Sequence, residues 1–365
     1  LFWMALIIHA TTDKVLTPVL GLEESWTVPI CILMGVVTII YTSLGGLRAV
    51  VFTDVIQSGI LFGGGLLTVV LVANELGGVR ELWPGEWLTH WEKPNWGYAP
   101  EARVTFVGMF LAIFCWHTCT AGSDQVVIQR YFATRDVKAA RRVLVINLVA
   151  DFFAMLLMAM VGLALIAYFT ANPGMFGENQ SLTNNSDQLF PRFISEGLPV
   201  GLTGLVVSGL LAAAMSSLSS GMNSTSSVIT SDFISRLHSD ESDEKSKIVI
   251  ARWVSGLIGV VVVALSLIVD RVPGNLFEVA NKVVNLFVSP LFVLFFLAMF
   301  VRFSNTSGAW CGVLTSITIA VLIAFWEEIT GHKGISFLWI MPAAFVGGTL
   351  VGTVASFVLR TKQET

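Results

Sequence analysis

Charged side chains are scarce in this chain of 365 residues: only 13% of them are Asp, Glu, Lys or Arg. Soluble domains carry about 25% of these residues. Hydrophobic residues make up 55% of the sequence, and the mean hydropathy is +0.77. Several apolar runs approach the roughly 20 residues that a helix needs to cross a bilayer. The composition therefore argues against a soluble protein and predicts an integral membrane protein that crosses the bilayer many times.

Motifs for catalysis and nucleotide binding are also absent. The sequence has no GxxxxGKS/T, HExxH or GxSxG pattern, and no arrangement that pairs a nucleophile with a base. We therefore expect neither an ATP-driven pump nor an enzyme. We also expect no organic cofactor, no nucleic-acid partner and no obligate protein partner. Membrane lipid is an expected partner, because the composition predicts a membrane protein.

Cysteine is rare and shows no metal-binding or disulfide pattern. The sequence has 4 cysteines, and Cys31, Cys115, Cys119 and Cys311 all lie in apolar segments. None of them forms a CxxC pair or a His-paired zinc spacing. We expect them to be small interior residues.

Long apolar runs divide the chain into about ten predicted transmembrane helices. Lipid offers the backbone no hydrogen-bond partner, so each run is predicted to be helical, and the alternating pattern of a membrane β-barrel is absent. The runs are a helix already under way at Leu1, then 27–44, 51–73, 104–121, 143–170, 199–230, 248–270, 276–301, 309–326 and 338–359. The opening LFWMALIIHA has no initiator Met, basic start or cleavage site, so we expect a fragment rather than a signal peptide.

The loops at one face of the predicted bundle carry most of the basic residues, which predicts that this face is cytoplasmic. The opposite loop, 74–103, is rich in tryptophan, as is common at the outer membrane interface. We expect a multi-pass protein of the plasma (inner) membrane. The basic residues at the predicted cytoplasmic face are Arg48, Arg130, Arg135, Lys138, Arg141, Arg142, Arg236, Lys245, Lys247, Arg302, Arg360 and Lys362.

Serines are concentrated in one apolar run, AAAMSSLSSGMNSTSSV at 212–228. On a helix, Ser216, Ser220, Asn223 and Ser227 fall on one stripe. One interpretation is helix packing, in which small residues permit close approach and hydroxyls bond across helices. The other is a site for a hard cation such as Na⁺, which prefers oxygen ligands.

A carboxylate in a second stretch, YTSLGGLRAVVFTDVIQ at 41–57, favours the cation site. Gly45 and Gly46 predict a cytoplasmic turn, and Asp54 follows within the next apolar run. An intramembrane carboxylate is by default a candidate functional residue. The alternative is that Asp54 caps a helix or pairs with Arg48 at the membrane edge.

A third stretch, GSDQVVIQRYFATRDVKAARR at 122–142, leaves a membrane helix and ends in basic residues. From Lys138 onward we expect an interfacial amphipathic helix on the cytoplasmic side.

These three stretches together resemble the sodium:solute symporter family, the relatives of sodium/glucose, monocarboxylate, proline and sialic-acid cotransporters. The resemblance covers essentially the whole chain. It implies an all-α membrane protein of LeuT-type architecture, with two inverted repeats and broken first and sixth core helices around a midplane site. In that frame, 1–365 is a single polytopic domain that lacks core helices 1 and 2. Core helices 3–10 occupy 1–301, core helix 3 falling on 1–20, and two peripheral helices occupy 302–365.

The resemblance also implies sodium sites, with Na⁺ as the coupling ion. The family's conserved site uses a carbonyl and two hydroxyls of core helix 8, which fall on Ala213, Ser216 and Ser217, and carbonyls of the missing core helix 1. A second site, present in some members, falls on Asp54, Ser216, Ser219 and Ser220. We therefore expect two Na⁺ per solute.

The solute pocket departs from the sugar transporters of the family. Those proteins carry a gating Tyr where this chain has Thr120, and a sugar-binding polar residue where it has His117. They carry Lys at the position of Asp151 and Gln at that of Asn281. The solute is expected to be either another sugar or a small carboxylate rather than glucose or galactose.

Two intramembrane charges, Asp151 and Lys282, leave two alternatives open. They could form a buried pair that relieves the cost of both charges. Either could instead bind the solute. His117 is likewise either an interior histidine or a pocket residue.

The predicted function is Na⁺-coupled import of a small organic solute by alternating access. The alternative is a transporter-like receptor that senses solute, which a cytoplasmic extension after RTKQET would favour. A channel, with flux that does not saturate, is a third possibility.

Overall fold

A computed structural model describes residues 17–22, 26–85, 91, 93–175, 186–199, 201–234, 244–266 and 276–359. Apart from turns and connections, these residues are helical. Between the longer helices lie short helical turns at Thr17–Val19, Val79–Leu82, Pro173–Met175 and Phe337–Trp339, and single π-helical turns follow α5 and α6. The helices are α1 (Thr27–Leu76), α2 (Phe106–Ser123), α3 (Gln125–Phe132), α4 (Val137–Ala171), α5 (Ser186–Arg192), α6 (Leu202–Val228), α7 (Glu244–Ser266), α8 (Leu276–Phe300), α9 (Thr306–Ala324), α10 (Trp326–Thr330) and α11 (Ile340–Val358).

The predicted pattern of spans is confirmed. Among the described residues, 8 helices are long and apolar enough to cross a membrane, and one of them, within α1, extends over 49 residues. That length corresponds to two crossings, since one needs about 20 residues. The predicted span from Leu1 lies almost wholly outside the described residues. The protein is therefore a multi-pass, all-helical integral membrane protein.

Helix α1 doubles back at Gly46. The hydroxyl of Tyr41 reaches the carbonyl of Met215, while Asp54 accepts a hydrogen bond from the adjacent Ser216. A straight helix would separate Tyr41 and Asp54 by about 20 Å, too far for both to reach neighbouring residues. The two runs 27–44 and 51–73 are thus two arms of a hairpin, as the Gly45–Gly46 pair predicts.

Gly46 makes the reversal possible through its backbone conformation, φ 58° and ψ −159°. A side chain disfavours this region, at a cost of about 1–3 kcal/mol. We expect Gly46→Ala to lower the free energy of unfolding by that amount, measured by thermal unfolding of the purified protein. Gly59→Ala is the matched control, because an added Cβ there meets open space. An equal loss in the two variants would contradict the account.

The start of α4 corrects one expectation. Lys138, Arg141 and Arg142 do not form a separate interfacial helix but the first turns of α4, which begins at Val137. The reason is a cap at Asp136, whose Oδ1 accepts a hydrogen bond of 2.7 Å from the amide of Ala139. An N-terminal cap of this kind fixes the first residue of a helix.

The chain forms two compact units. The first comprises residues 1–91 and 141–273, and the second 92–140 and 274–365. The expectation that 1–365 acts as a single transporter domain concerns function and stays a prediction. The 4 cysteines are free thiols, and Cys31, Cys115 and Cys119 are buried.

In the first unit, α6 packs along the second arm of α1. A Cβ on Gly209 would lie 3.3 Å from the carbonyl oxygen of Ile60, and one on Gly64 would lie 3.6 Å from the Cα of Val206. Residue numbers therefore rise along α1 as they fall along α6, so the helices are antiparallel. Small residues bring the two backbones close together. Short polar side chains of α1 and α6 can therefore contact each other directly.

In the second unit, α9 and α11 pack through small residues. A Cβ on Gly312 would lie 2.9 Å from the carbonyl oxygen of Gly348 and 3.1 Å from the Cα of Gly352. Ser316 and Ser356 are fully buried beside them. This close approach is the usual packing of membrane helices.

Candidate functional site

A carboxylate–serine cluster lies where α6 meets the second arm of α1. The Oγ of Ser216 donates a hydrogen bond of 2.5 Å to Oδ1 of Asp54. The Oγ of Ser220 donates one of 3.2 Å to Oδ2. Ser216 and Ser220 are one helical turn apart, so both face the same carboxylate. We call Asp54, Ser216 and Ser220 the carboxylate–serine cluster.

The other predicted sodium ligands lie on α6 beside this cluster. Ser217 is exposed and donates a hydrogen bond of 3.1 Å to the carbonyl of Ala213. Ser219 is fully buried, and its hydroxyl donates to the carbonyl of Ser216 at 3.0 Å. The structure thus brings Asp54, Ser216 and Ser220 together, whereas the hydroxyl of Ser219 bonds within its own helix.

The two halves of the serine stretch 212–228 make different contacts, and these can be compared with the helix-packing and cation-site interpretations. The hydroxyls of Ser224 and Ser226 bond to carbonyls three residues earlier in α6. That arrangement fits the packing interpretation. Ser216 and Ser220 instead reach across to another helix and meet a charged group. The cation-site interpretation therefore stays a prediction, and the contacts with Asp54 restrict it to the first half of the stretch.

The chemistry of the cluster suits an alkali cation. A serine hydroxyl that donates its hydrogen still has lone pairs to offer to a cation, and the negative charge of Asp54 offsets part of the positive charge. Hard cations prefer such oxygen ligands. Within the described part of the chain no three His, Cys, Asp or Glu side chains come together as a metal site, and a lone carboxylate with hydroxyls is a poor match for a transition metal.

Tyr41 is a residue that the sequence interpretation missed. It lies on the first arm of α1, and its hydroxyl donates a hydrogen bond of 3.2 Å to the carbonyl of Met215. The hairpin therefore holds two consecutive residues of α6, Met215 by Tyr41 and Ser216 by Asp54. The paired glycines indicate two facing arms, but they do not indicate which residue Tyr41 would contact.

We expect Tyr41→Phe to lower the affinity for Na⁺ by about two- to tenfold, the effect of losing one neutral hydrogen bond that positions α6. The measurement is the Na⁺ dependence of uptake by the purified, reconstituted protein. Tyr98→Phe is the control, because it makes the same substitution at a tyrosine that is 70% exposed and lies outside the carboxylate–serine cluster. An unchanged Na⁺ dependence in Tyr41→Phe would show that this contact does not position the site.

Asp124 interrupts the helical path between α2 and α3. Its backbone is extended, and its side chain accepts a hydrogen bond of 2.8 Å from the amide of Val126, capping α3. Asp124 directly follows Ser123, the last residue of α2. The break falls where the resemblance implies one in core helix 6, and Asp124 is a second residue that could not be assigned a role from the sequence pattern alone.

The predicted solute residues lie on several helices. His117 and Thr120 are half-buried on α2, and the Thr120 hydroxyl donates to the carbonyl of Trp116 at 2.7 Å. Asp151, on α4, accepts a hydrogen bond of 3.2 Å from the side-chain amide of Asn147. Lys282 is half-buried on α8; the side chain of Asn281 lies outside the described part. Asp151 belongs to the first unit and the others to the second, so the pocket and the Asp151–Lys282 pair stay predictions.

Comparison with known proteins gives consistent results. Residues 11–316 match the sodium:solute symporter family. The sodium/sialic acid symporter SiaT of Proteus mirabilis is 30% identical over 87% of this chain and 63% of its own length. The sodium/sialic acid symporter NanT of Aliivibrio fischeri is 31% identical over 80% and 58%. The sodium/glucose cotransporter of Vibrio parahaemolyticus is 26% identical over 89% and 63%.

A solved structure shares the fold. It is the substrate-bound, outward-open state of a Na⁺-coupled sialic acid symporter, with a TM-score of 0.79 and 24% identity, covering 98% of this chain and 73% of that one. The chain spans about three fifths of the length of the sialic acid symporters that it matches, 63% and 58%. With the LeuT-type fold in place and the family matched over residues 11–316, the chain belongs to the sodium:solute symporter family.

Proposed function

We propose that the protein imports a small organic solute together with Na⁺ by alternating access, and that residues 1–365 act as one transporter domain of the plasma membrane. The observation that carries the proposal is the contact of Asp54 with Ser216 and Ser220. An intramembrane carboxylate is costly unless it has a partner or a function. Family membership supports Na⁺ as the ion.

Two sodium ions are proposed per solute. The first uses the carbonyl of Ala213 and the hydroxyls of Ser216 and Ser217, together with carbonyls of core helix 1. The second uses Asp54 together with Ser216, Ser219 and Ser220. Because Ser216 contributes to both, binding of one ion would orient a ligand for the other and make the two events cooperative.

The sodium ions supply both structural bracing and energy. Na⁺ from outside would hold α6 against the second arm of α1 and stabilise the outward-facing state. Solute would then bind near the midplane, and the ions would leave inward past Asp54. Each charge moved through 100 mV supplies about 2.3 kcal/mol, so a second ion roughly doubles the electrical driving force.

The proposed solute is a sugar or a small carboxylate, bound by His117, Thr120, Asp151, Asn281 and Lys282. Sialic acid combines a sugar with a carboxylate, and two relatives are named as its symporters. It is therefore the first solute to test. A cation such as Lys282 would favour an anionic solute over a neutral one.

Uptake of labelled sialic acid, glucose and a panel of small carboxylates by proteoliposomes tests this proposal. We expect one class to accumulate in external NaCl and not in choline chloride. Saturation of uptake with solute concentration distinguishes a carrier from a channel. Accumulation that is the same in choline would overturn the proposal.

A further inference from the structure

The second unit contains a groove where α8 ends and α9 begins. Its volume is about 960 Å³. Along one side it is lined by apolar residues of α8 and α9, among them Leu294, Phe295 and Trp310, and at the loop between the helices by Arg302. None of the predicted sodium or solute residues lines it. The groove is therefore separate from the proposed transport site.

The apolar side of the groove is open. Trp310 is 62% exposed, Leu294 40% and Phe295 39%. These residues lie on helices that are long and apolar enough to cross a membrane, so hydrocarbon chains rather than water are their expected surroundings. A small soluble ion would leave this apolar surface uncovered.

The loop end of the groove is polar and positively charged. Arg302 is exposed, and no acidic residue is among those lining the groove. No hydrogen bond or ion pair links Arg302 to another residue of the described part of the second unit. The start of α9, which also borders the groove, adds the partial positive charge of a helix N-terminus.

The loop is held in place before any ligand binds. Asn305 accepts a hydrogen bond of 2.8 Å from the amide of Gly308, which caps α9. Its side-chain amide also donates to the carbonyls of Ser356 and Leu359 in and beyond α11, at 3.1 and 3.3 Å. Little further ordering of the loop is needed for a ligand to bind, which favours affinity.

We propose that this groove binds one anionic phospholipid, with the phosphate at Arg302 and an acyl chain along Leu294, Phe295 and Trp310. The distribution of basic residues places this loop on the cytoplasmic side. The cytoplasmic leaflet carries the anionic lipids, and basic pockets between membrane helices on that side bind their headgroups. A groove that combines one cation with an apolar wall is complementary to a ligand that combines an anion with a hydrocarbon chain.

Native mass spectrometry of the delipidated full chain, titrated with phosphatidylglycerol or phosphatidylcholine, tests the proposal. We expect tighter binding of phosphatidylglycerol, and a loss of about fivefold in that affinity in Arg302→Gln. Arg135→Gln is the control, because Arg135 is another exposed loop arginine, with its side chain 86% exposed, and it should bind lipid as the wild type does.

Two further arms make the result decisive. Ala298 also lines the groove. Ala298→Phe fills the apolar side of the groove and leaves Arg302 in place, so it should weaken the binding of both lipids. Inorganic phosphate should not displace bound phosphatidylglycerol. Equal affinities for the two lipids, wild-type binding by Arg302→Gln at an unchanged melting temperature, or full displacement by phosphate would each overturn the proposal.

Discussion

Replacing Asp54 with Asn is expected to raise the Na⁺ concentration that half-saturates uptake by about tenfold or more, and to lower the Hill coefficient for Na⁺ toward one. The amide keeps the size of the side chain and an oxygen that Ser216 or Ser220 can donate to. It removes the negative charge that offsets the ion. A hydrogen bond or ion contact to a charged group is roughly twice as strong as to a neutral one, and about 1.4 kcal/mol corresponds to tenfold.

The measurement is solute uptake against Na⁺ concentration at saturating solute. Thr53→Val is the control, because the Thr53 hydroxyl bonds to the carbonyl of Val50 within α1 and leaves the cluster untouched. Ser220→Ala should behave like a weaker Asp54→Asn, whereas Ser224→Ala, which loses a bond within α6, should not. A wild-type Hill coefficient of one, with Na⁺ affinity unchanged in Asp54→Asn, would exclude the second ion.

Replacing Gly312 with Leu is expected to prevent α9 and α11 from packing. The added Cβ alone would lie 2.9 Å from the carbonyl oxygen of Gly348, 3.1 Å from the Cα of Gly352 and 3.2 Å from Cδ1 of Leu297, and two of these three atoms belong to the backbone. Overpacking costs about 1–3 kcal/mol where side chains can shift, and more where backbone obstructs. We therefore expect a large fall in the yield and the melting temperature of folded protein.

Gly63→Leu is the matched control for this prediction. Gly63 also lies within a membrane helix, but an added Cβ there has no neighbour within 4 Å. Size-exclusion chromatography and thermal unfolding in detergent compare the two variants. A melting temperature for Gly312→Leu equal to that of Gly63→Leu would mean that the helices do not pack as closely as the structure has them.

The reversal in α1 could be predicted because it follows from a local pattern, whereas the meeting of Asp54 with Ser216 and Ser220 was expected only from the resemblance to the family. Paired glycines after an apolar run indicate a turn, and helical periodicity puts Ser216 and Ser220 on one face. The two spans are confirmed, although Gly46 is the one residue within α1 whose φ and ψ are not helical. The same reasoning failed at Lys138, because the cap formed by Asp136 extends α4 through the basic residues.

Contacts between residues distant in sequence could not be predicted in the same way. The bond from Tyr41 to the carbonyl of Met215 depends on how α1 and α6 dock, and an aromatic hydroxyl in an apolar run has many possible acceptors. The capping role of Asp124 leaves a local signal, an Asp directly before a helix, but the basic residues that follow it dominate the pattern of this stretch. The solute pocket is harder still, because it depends on side chains from helices far apart in the chain.

Labelled Na⁺ driven by solute is the most direct test of the central claim, that the oxygen ligands around Asp54 and Ser216 couple an ion to the solute. In proteoliposomes with equal Na⁺ on both sides, an inward gradient of the transported solute alone should draw ²²Na⁺ inward, and Asp54→Asn should reduce the amount carried per solute. If solute entered without changing the flux of ²²Na⁺, Na⁺ would be only an activator, and the account of coupled transport would be wrong.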